Sequence, residues 1–170
     1  TAVVRREGAL RSHQDDSHQK AGTTMAHLTK DEREAFLAEP HVGILRVTAG
    51  NDRPPLTAPT WYGYTPGGNL TFFTNSQGRV ARKSDLIRKA GVVSFCVQQE
   101  EPPYRYVTIE GSVIGDDQPP SAEQVHAIVS RYLPDEMAQG FVEAELGHPN
   151  GQLVVFTIRP DRWLTADFSE

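Results

Sequence analysis

Residues 79–89 hold Arg79, Arg82, Lys83, Arg88 and Lys89 against a single acid, Asp85, in a chain whose formal net charge is -5. A guanidinium fork grips phosphate oxygens in pairs, and an ammonium adds a compact point charge. The pattern predicts a helix from about Gly78 to Lys89. At 100° per residue, Arg79, Arg82 and Lys83 share about a third of its circumference. They converge near the helix start, where unpaired N–H groups and the helix dipole favour an anion. Thr74, Asn75 and Ser76 come just before and add short polar donors. The same run also suits a solvated basic face. The local sequence leaves both readings open.

Two aromatic segments stand out beside it. Pro59-Thr60-Trp61-Tyr62 sets two large rings after a proline on an extended stretch, where proline disfavours a central strand. A planar ligand would find exposed backbone groups and the Trp61 surface there. The other reading puts Trp61 and Tyr62 on opposite faces of a strand, one of them packed inward. Pro103-Tyr104-Arg105-Tyr106 has the same character and suits a ligand wall, a dimer contact or a plain strand edge.

Several chemistries lack their residues. Gly78-Arg79-Val80-Ala81-Arg82-Lys83-Ser84 is not a P-loop, and no dinucleotide fingerprint is present. His41, His126 and His148 are scattered without metal-ligand spacing. Ser112 sits in no nucleophile elbow. Cys96, the sole cysteine, alternates with apolar neighbours and reads as a buried, inert thiol. No acid, base or nucleophile constellation emerges, so no catalytic side chain and no metal ligand is assigned. If the chain is an enzyme, its chemistry belongs to a bound cofactor that the protein positions.

The elements needed to place these residues are legible. Thr29-Lys30-Asp31-Glu32 is a capping box opening a helix that Pro40 stops. Period-two alternation then gives a strand over 42–49, a turn at Gly50–Pro54, and extended chain from Leu56 to Tyr64. Pro66-Gly67-Gly68-Asn69 is a hairpin turn into a strand over Leu70–Thr74. These three strands predict an antiparallel meander. After the basic helix come strands over Val92–Val97 and Arg105–Ile114. A second capping box, Ser121 to Gln124, starts a helix with Val125, Ile128, Val129 and Tyr132 on one face. Another helix is expected within Pro134–Leu146. Separate strands are expected over Leu153–Ile158 and Arg162–Asp167. Six or seven antiparallel strands with three or four peripheral helices make a mainly β fold of barrel type.

At 170 residues and 38% hydrophobic composition the chain fits one domain with its own core, over residues 28–170. Residues 1–27 are polar and aperiodic and read as a flexible extension, with Met25 as an internal start site. A pI near 5.7 argues against general nucleic-acid binding. No apolar run approaches the roughly 20 residues of a membrane span, and no signal-peptide core is present, so a cytoplasmic protein is expected.

In order along the chain, these segments resemble the pyridoxamine-5′-phosphate-oxidase-like superfamily of split-barrel flavin and deazaflavin oxidoreductases. The resemblance runs from His41-Val42-Gly43-Ile44-Leu45 through Pro59-Thr60-Trp61-Tyr62 and Phe72-Phe73-Thr74-Asn75. It continues through the basic segment and Asp85-Leu86 to Pro103-Tyr104-Arg105-Tyr106-Val107-Thr108-Ile109-Glu110-Gly111. It implies a six- to seven-stranded antiparallel split β-barrel that moves a hydride between FMN or coenzyme F420 and a small organic substrate. A flavin- or haem-binding carrier on the same fold is the alternative. By the resemblance Thr74, Asn75, Ser76, Arg79, Arg82 and Lys83 hold the cofactor phosphate and ribityl region, and Pro59 to Tyr62 lie along the ring. A homodimer with sites at the interface is implied, with Gln98, Tyr104 and Arg105 reaching the partner's cofactor. F420 carries an acidic tail, which an open basic groove beyond Arg88 and Lys89 would suit. Vitamin B6 oxidases of the superfamily carry an Arg-x-His element near the C-terminus. Here that region reads Arg159-Pro160-Asp161-Arg162-Trp163-Leu164, with no histidine, which argues against that substrate.

Overall fold

The computed structural model describes residues 25–76, 81–149 and 151–169. Residues 1–24 of the flexible extension expected over 1–27, and Gly78, Arg79 and Val80 of the basic run, therefore lie outside the described residues. Helix α1 spans Lys30–Ala38 and has the full capping box, the Thr29 hydroxyl accepting from the Glu32 N–H. Just before it, Ala26 forms a β-bridge to Asp167, tying this end of the chain to the last strand.

Seven strands follow: β1 Gly43–Val47, β2 Leu56–Thr60, β3 Gly63–Tyr64, β4 Leu70–Thr74, β5 Val92–Gln99, β6 Arg105–Asp117 and β7 Val154–Asp167. Helix α2, Arg82–Ala90, lies between β4 and β5, while α3, Ala122–Val129, and α4, Asp135–Gly147, lie between β6 and β7. The sheet is antiparallel throughout, in the order β2-β1-β5-β6-β7-β4-β3. Among the described residues no helix is long and apolar enough to cross a membrane.

That order corrects the meander. The hairpins β1–β2 and β3–β4 form as the turns imply, and the two strands β5 and β6 pair as a third. However, β2 and β3 stand at opposite edges of the sheet although only Trp61 and Tyr62 separate them. Two residues cannot span a flat seven-stranded sheet, whose edges lie six spacings of about 4.8 Å apart. The sheet must curl until its edges meet at this dipeptide, which makes it a split barrel. A second correction concerns the C-terminus. The two expected strands are one, because Pro160 falls where β6 and β7 shift register between Glu110 and Gly111. A bulge tolerates a residue without an N–H.

Tyr62, Phe72, Phe95 and Phe156 fill the barrel, with Tyr62 edge-on to Phe95 at 5.5 Å and Phe72 at 5.7 Å from Phe156. Such ring pairs add about 0.5–1.5 kcal/mol each beyond their buried area. A second cluster lies outside the barrel. There Val125 and Val129 of α3 and Ala138 and Val142 of α4 pack with Val155, and Trp61, Phe73 and Phe141 close around them. Strand β4 divides the two clusters by simple alternation. Leu70 and Phe72 point to the barrel, and Phe73 points to the helices.

Candidate functional site

The joint between β2 and β3 holds the first part of the site. Trp61 and Tyr62 do face opposite ways. The Tyr62 side chain is fully buried in the core, its hydroxyl donating to the Leu37 carbonyl at 2.9 Å, and burial pushes its phenol well above the ordinary tyrosine range. Of the pair, only Trp61 is available as a wall. One face of its indole is stacked on Tyr132, with centroids 4.9 Å apart and planes 6° from parallel. Beside it opens a shallow pocket of about 400 Å³ lined by Val42, Pro59, Thr60, Trp61, Phe73 and Phe141. None of the six is titratable, so the pocket offers shape and an apolar surface rather than acid–base chemistry.

The second part begins one residue beyond Phe73. Buried Thr74 meets Ser84 of α2 hydroxyl to hydroxyl at 2.6 Å. Replacing Ser84 with Ala should cost about 1–2 kcal/mol, since the Thr74 hydroxyl is left buried without its partner. A lowered denaturant midpoint with an unchanged slope would report it. Asn75 donates through Nδ2 to Glu145 of α4, and Ser76 donates to the Gln152 side-chain oxygen at 2.8 Å. All three expected donors thus hold the strand end in place within the chain itself.

The cations differ from one another. The helix expected from about Gly78 begins at Arg82, because Ala81, its N-cap, has φ -75° and ψ 42°, outside the helical region. Arg82 and Lys83 therefore occupy the first turn, where positive charge opposes the helix dipole. Neither makes a hydrogen bond or ion pair with a described residue, and no side chain caps the helix. Arg88 is committed. It grips Asp116 with two bonds of 2.6 and 2.9 Å and also donates to Gln118, which holds the Asp116 carboxyl below its usual range. Arg88 therefore offers no free charge to the acidic tail of a ligand, while Lys89 beside it is exposed.

Tyr104 and Arg105 stand apart from the pocket, whereas Gln98 lies beside it, since Val97 pairs with Gly43 and the next residues along are Gln98 and the pocket residue Val42. Gln98 is exposed on β5 opposite Tyr106, Tyr104 is exposed before β6, and Arg105 leans on Asp167 at 4.0 Å. From β6 to Pro59 on β2 is three strand spacings, about 14 Å. Within one chain Tyr104 and Arg105 do not meet the pocket.

No family model matches the chain, and no curated protein matches it. Solved structures do. An F420 reductase superposes with a TM-score of 0.57 at 20% identity, over 77% of this chain and 94% of that one. A FAD-binding protein from Mesorhizobium loti gives 0.57 at 19% identity, covering 88% of this chain and 100% of the other. A candidate pyridoxamine 5′-phosphate oxidase from Listeria innocua gives 0.51 at 17%, over 80% and 96%. This chain has the pyridoxamine-phosphate-oxidase-like split-barrel fold. The split barrel is mainly β with peripheral helices, as the order of sequence elements implied.

Sequence reasoning missed five residues at the joint. Val42, Phe73 and Phe141 line the pocket, Tyr132 backs Trp61, and the Arg131 guanidinium lies 4.8 Å over the Tyr62 ring. Tyr132 carried a weak signal, as the last apolar position of its helix face. It lies three residues past the end of α3, and its hydroxyl donates to the His41 carbonyl at 2.7 Å. Nothing in the local sequence distinguishes Arg131 from a surface arginine.

Proposed function

We propose that this chain is a member of the pyridoxamine-5′-phosphate-oxidase-like superfamily and an oxidoreductase that binds FMN or F420. It would transfer a hydride between that cofactor and a small organic substrate. The observation that carries this reading is the pair of cations, Arg82 and Lys83, in the uncapped first turn of α2, without a hydrogen-bond or ion-pair partner among the described residues. Thr74 joins that turn to the strand end whose preceding residue, Phe73, lines the Trp61 pocket. A molecule with a phosphate at one end and a planar ring at the other suits the two parts together.

Bound there, the flavin or deazaflavin ring supplies the hydride chemistry. Arg82 and Lys83 neutralise the phosphate, and the α2 N–H groups donate to it. Trp61, Phe73 and Phe141 press on apolar surface and keep water out, with Tyr132 holding the indole flat. Pro59 leaves the β2 edge without an N–H at that point, so a ligand approaches backbone carbonyls there. The protein's work is positioning and exclusion, and no side chain of the pocket takes a proton.

We place the protein in the cytoplasm as a homodimer with its cofactor sites near the subunit interface, where Gln98, Tyr104 and Arg105 serve the partner's site. Support for the dimer is the row of outward side chains on β1, β5 and β7, where Leu164 is 56% exposed. The experiment is an absorption and fluorescence titration of the purified protein with FMN and F420 separately. Saturable quenching by one of them, followed by its bleaching or recovery with a reductant and an acceptor, is expected. Binding without turnover would mark a carrier, and binding of neither would overturn the reading. Trp61→Leu should weaken ring binding about three- to tenfold, by loss of one aromatic contact of about 0.5–1.5 kcal/mol.

A further inference from the structure

A cavity of about 530 Å³ opens at the other end of β1 and β5 from the Trp61 pocket. Sites for small molecules commonly have volumes of roughly 300–1,000 Å³. Arg46 and Thr48 line it at the end of β1, Pro55 just before β2, Val92 and Ser94 on β5, and Glu110 on β6. Val92 is 57% exposed, and Pro55 is exposed as well, so apolar surface faces outward here. Four charged side chains line the cavity, and three of them already have partners. Asp161 accepts from the Ser112 hydroxyl at 2.5 Å and from Arg159 at 2.9 Å, which holds its carboxyl below the usual range. Glu110 and Arg162 stand 3.9 Å apart. Arg46 is exposed and has no hydrogen bond or ion pair with a described residue.

We propose that this cavity binds an amphipathic carboxylate, with its head on the Arg46 guanidinium and its apolar body over Val92 and Pro55. One guanidinium fork matches one carboxylate, giving it two parallel bonds. The Ser94 and Thr48 hydroxyls belong to the same lining and add short donors. A phosphate dianion would call on a second cation. The other one, Arg162, stands three strands from Arg46, about 14 Å away, with Glu110 between them. An organic cation would find both carboxylates already answered, Asp161 by Ser112 and Arg159 and Glu110 by Arg162. A single negative charge on an apolar body is what the free groups match.

The site is separate from the cofactor site and stands without it, since all of its residues belong to one chain. Arg46 is four residues along β1 from Val42 of the Trp61 pocket, about 13 Å. Gln98, Tyr104 and Arg105, assigned above to the partner's site, lie at least as far along β5 and β6 from Ser94 and Glu110.

The test is isothermal titration of the whole chain with decanoate, octanoate, decanol and decylammonium, with and without saturating FMN. Decanoate should bind saturably at one site per chain. Octanoate should bind about five- to tenfold more weakly, because two methylene groups leave the apolar surface. Decanol should bind at least about tenfold more weakly than decanoate, and decylammonium should not bind. Arg46→Met keeps an unbranched apolar stem and removes the fork, so it should weaken decanoate about tenfold or more. Val92→Ser should weaken it about threefold or more. Both side chains are exposed, so an unchanged melting temperature shows that the variants fold. Arg46→Met should leave FMN and F420 titrations unchanged, and saturating FMN should leave decanoate affinity unchanged. No saturable decanoate binding, equal binding of decanol or decylammonium, or indifference to Arg46→Met overturns the proposal. Displacement of decanoate by FMN overturns it too, by assigning the fatty acid to the Trp61 pocket. A chain that takes decanoate as described but neither FMN nor F420 upholds this site while the cofactor reading fails.

Discussion

Arg82→Glu should reduce affinity for FMN or F420 by about thirtyfold or more, a loss of roughly 2 kcal/mol or greater for reversing a charge on a phosphate. The substitution replaces a cation in the first turn of α2 with an anion, and that anion is favourable to the free helix. Folding stability should therefore stay level or rise slightly while binding collapses. Those opposite signs separate a lost phosphate contact from general damage. Arg88→Glu is the control. Arg88 is held by Asp116 and Gln118, so its reversal should weaken the link between α2 and β6 with little change in cofactor affinity. Raising salt from about 50 to 500 mM should lower wild-type affinity more than that of Arg82→Glu, because screening acts on the charge the variant lacks. Equal affinities for wild type and Arg82→Glu would show that the run is a solvated face after all.

Local chemistry made much of the fold legible. Both capping boxes, at Thr29 and Ser121, form with the reciprocal bonds their spacing requires, since each partner is three residues away. The hairpin turn before Leu70 is likewise a short-range matter. What escaped depends on partners far along the chain. The split between Trp61 and Tyr62 follows from closing a seven-stranded sheet, and no residue near it encodes the closure. Pro160 looked like a break between strands, yet it sits at a bulge whose other side lies some fifty residues earlier, at Glu110 and Gly111.

The site divides in the same way. An excess of arginine and lysine is visible in any reading of residues 79–89. That Arg88 is neutralised, while Arg82 has no partner among the described residues, depends on Asp116, brought in by β6. Thr74, Asn75 and Ser76 have the right types for phosphate donors, but Ser84, Glu145 and Gln152 already hold their side chains. Short polar residues at a strand end serve either purpose, and only the fold decides which.

Arg131→Ala is expected to be the most destabilising of the substitutions considered for this chain, by about 3 kcal/mol, since bonds from a charged donor contribute roughly 1.5–3 kcal/mol each and are not additive. Arg131 donates from Nη1 to the Tyr64 carbonyl at 3.1 Å and from Nη2 to the Leu37 and Glu39 carbonyls at 3.0 and 2.9 Å. It therefore pins the end of α1 and the end of β3 to the turn just past α3, with its guanidinium over the buried Tyr62 ring. For a domain of this size the loss corresponds to a Tm lower by about 6–12 °C. Lysine cannot repeat a planar fork aimed at three carbonyls, so Arg131→Lys should recover less than half of the loss. The effect should reach the pocket too. Tyr132 follows directly and holds both the His41 carbonyl and the Trp61 indole, so loosening this strut frees the indole to move. In a Trp163→Phe background, where Trp61 is the only indole, Arg131→Ala should show greater Trp61 quenching by acrylamide below its melting temperature. Full stability in Arg131→Lys, or an unchanged Trp61 signal in Arg131→Ala, would mean that the barrel's closed edge holds without this side chain.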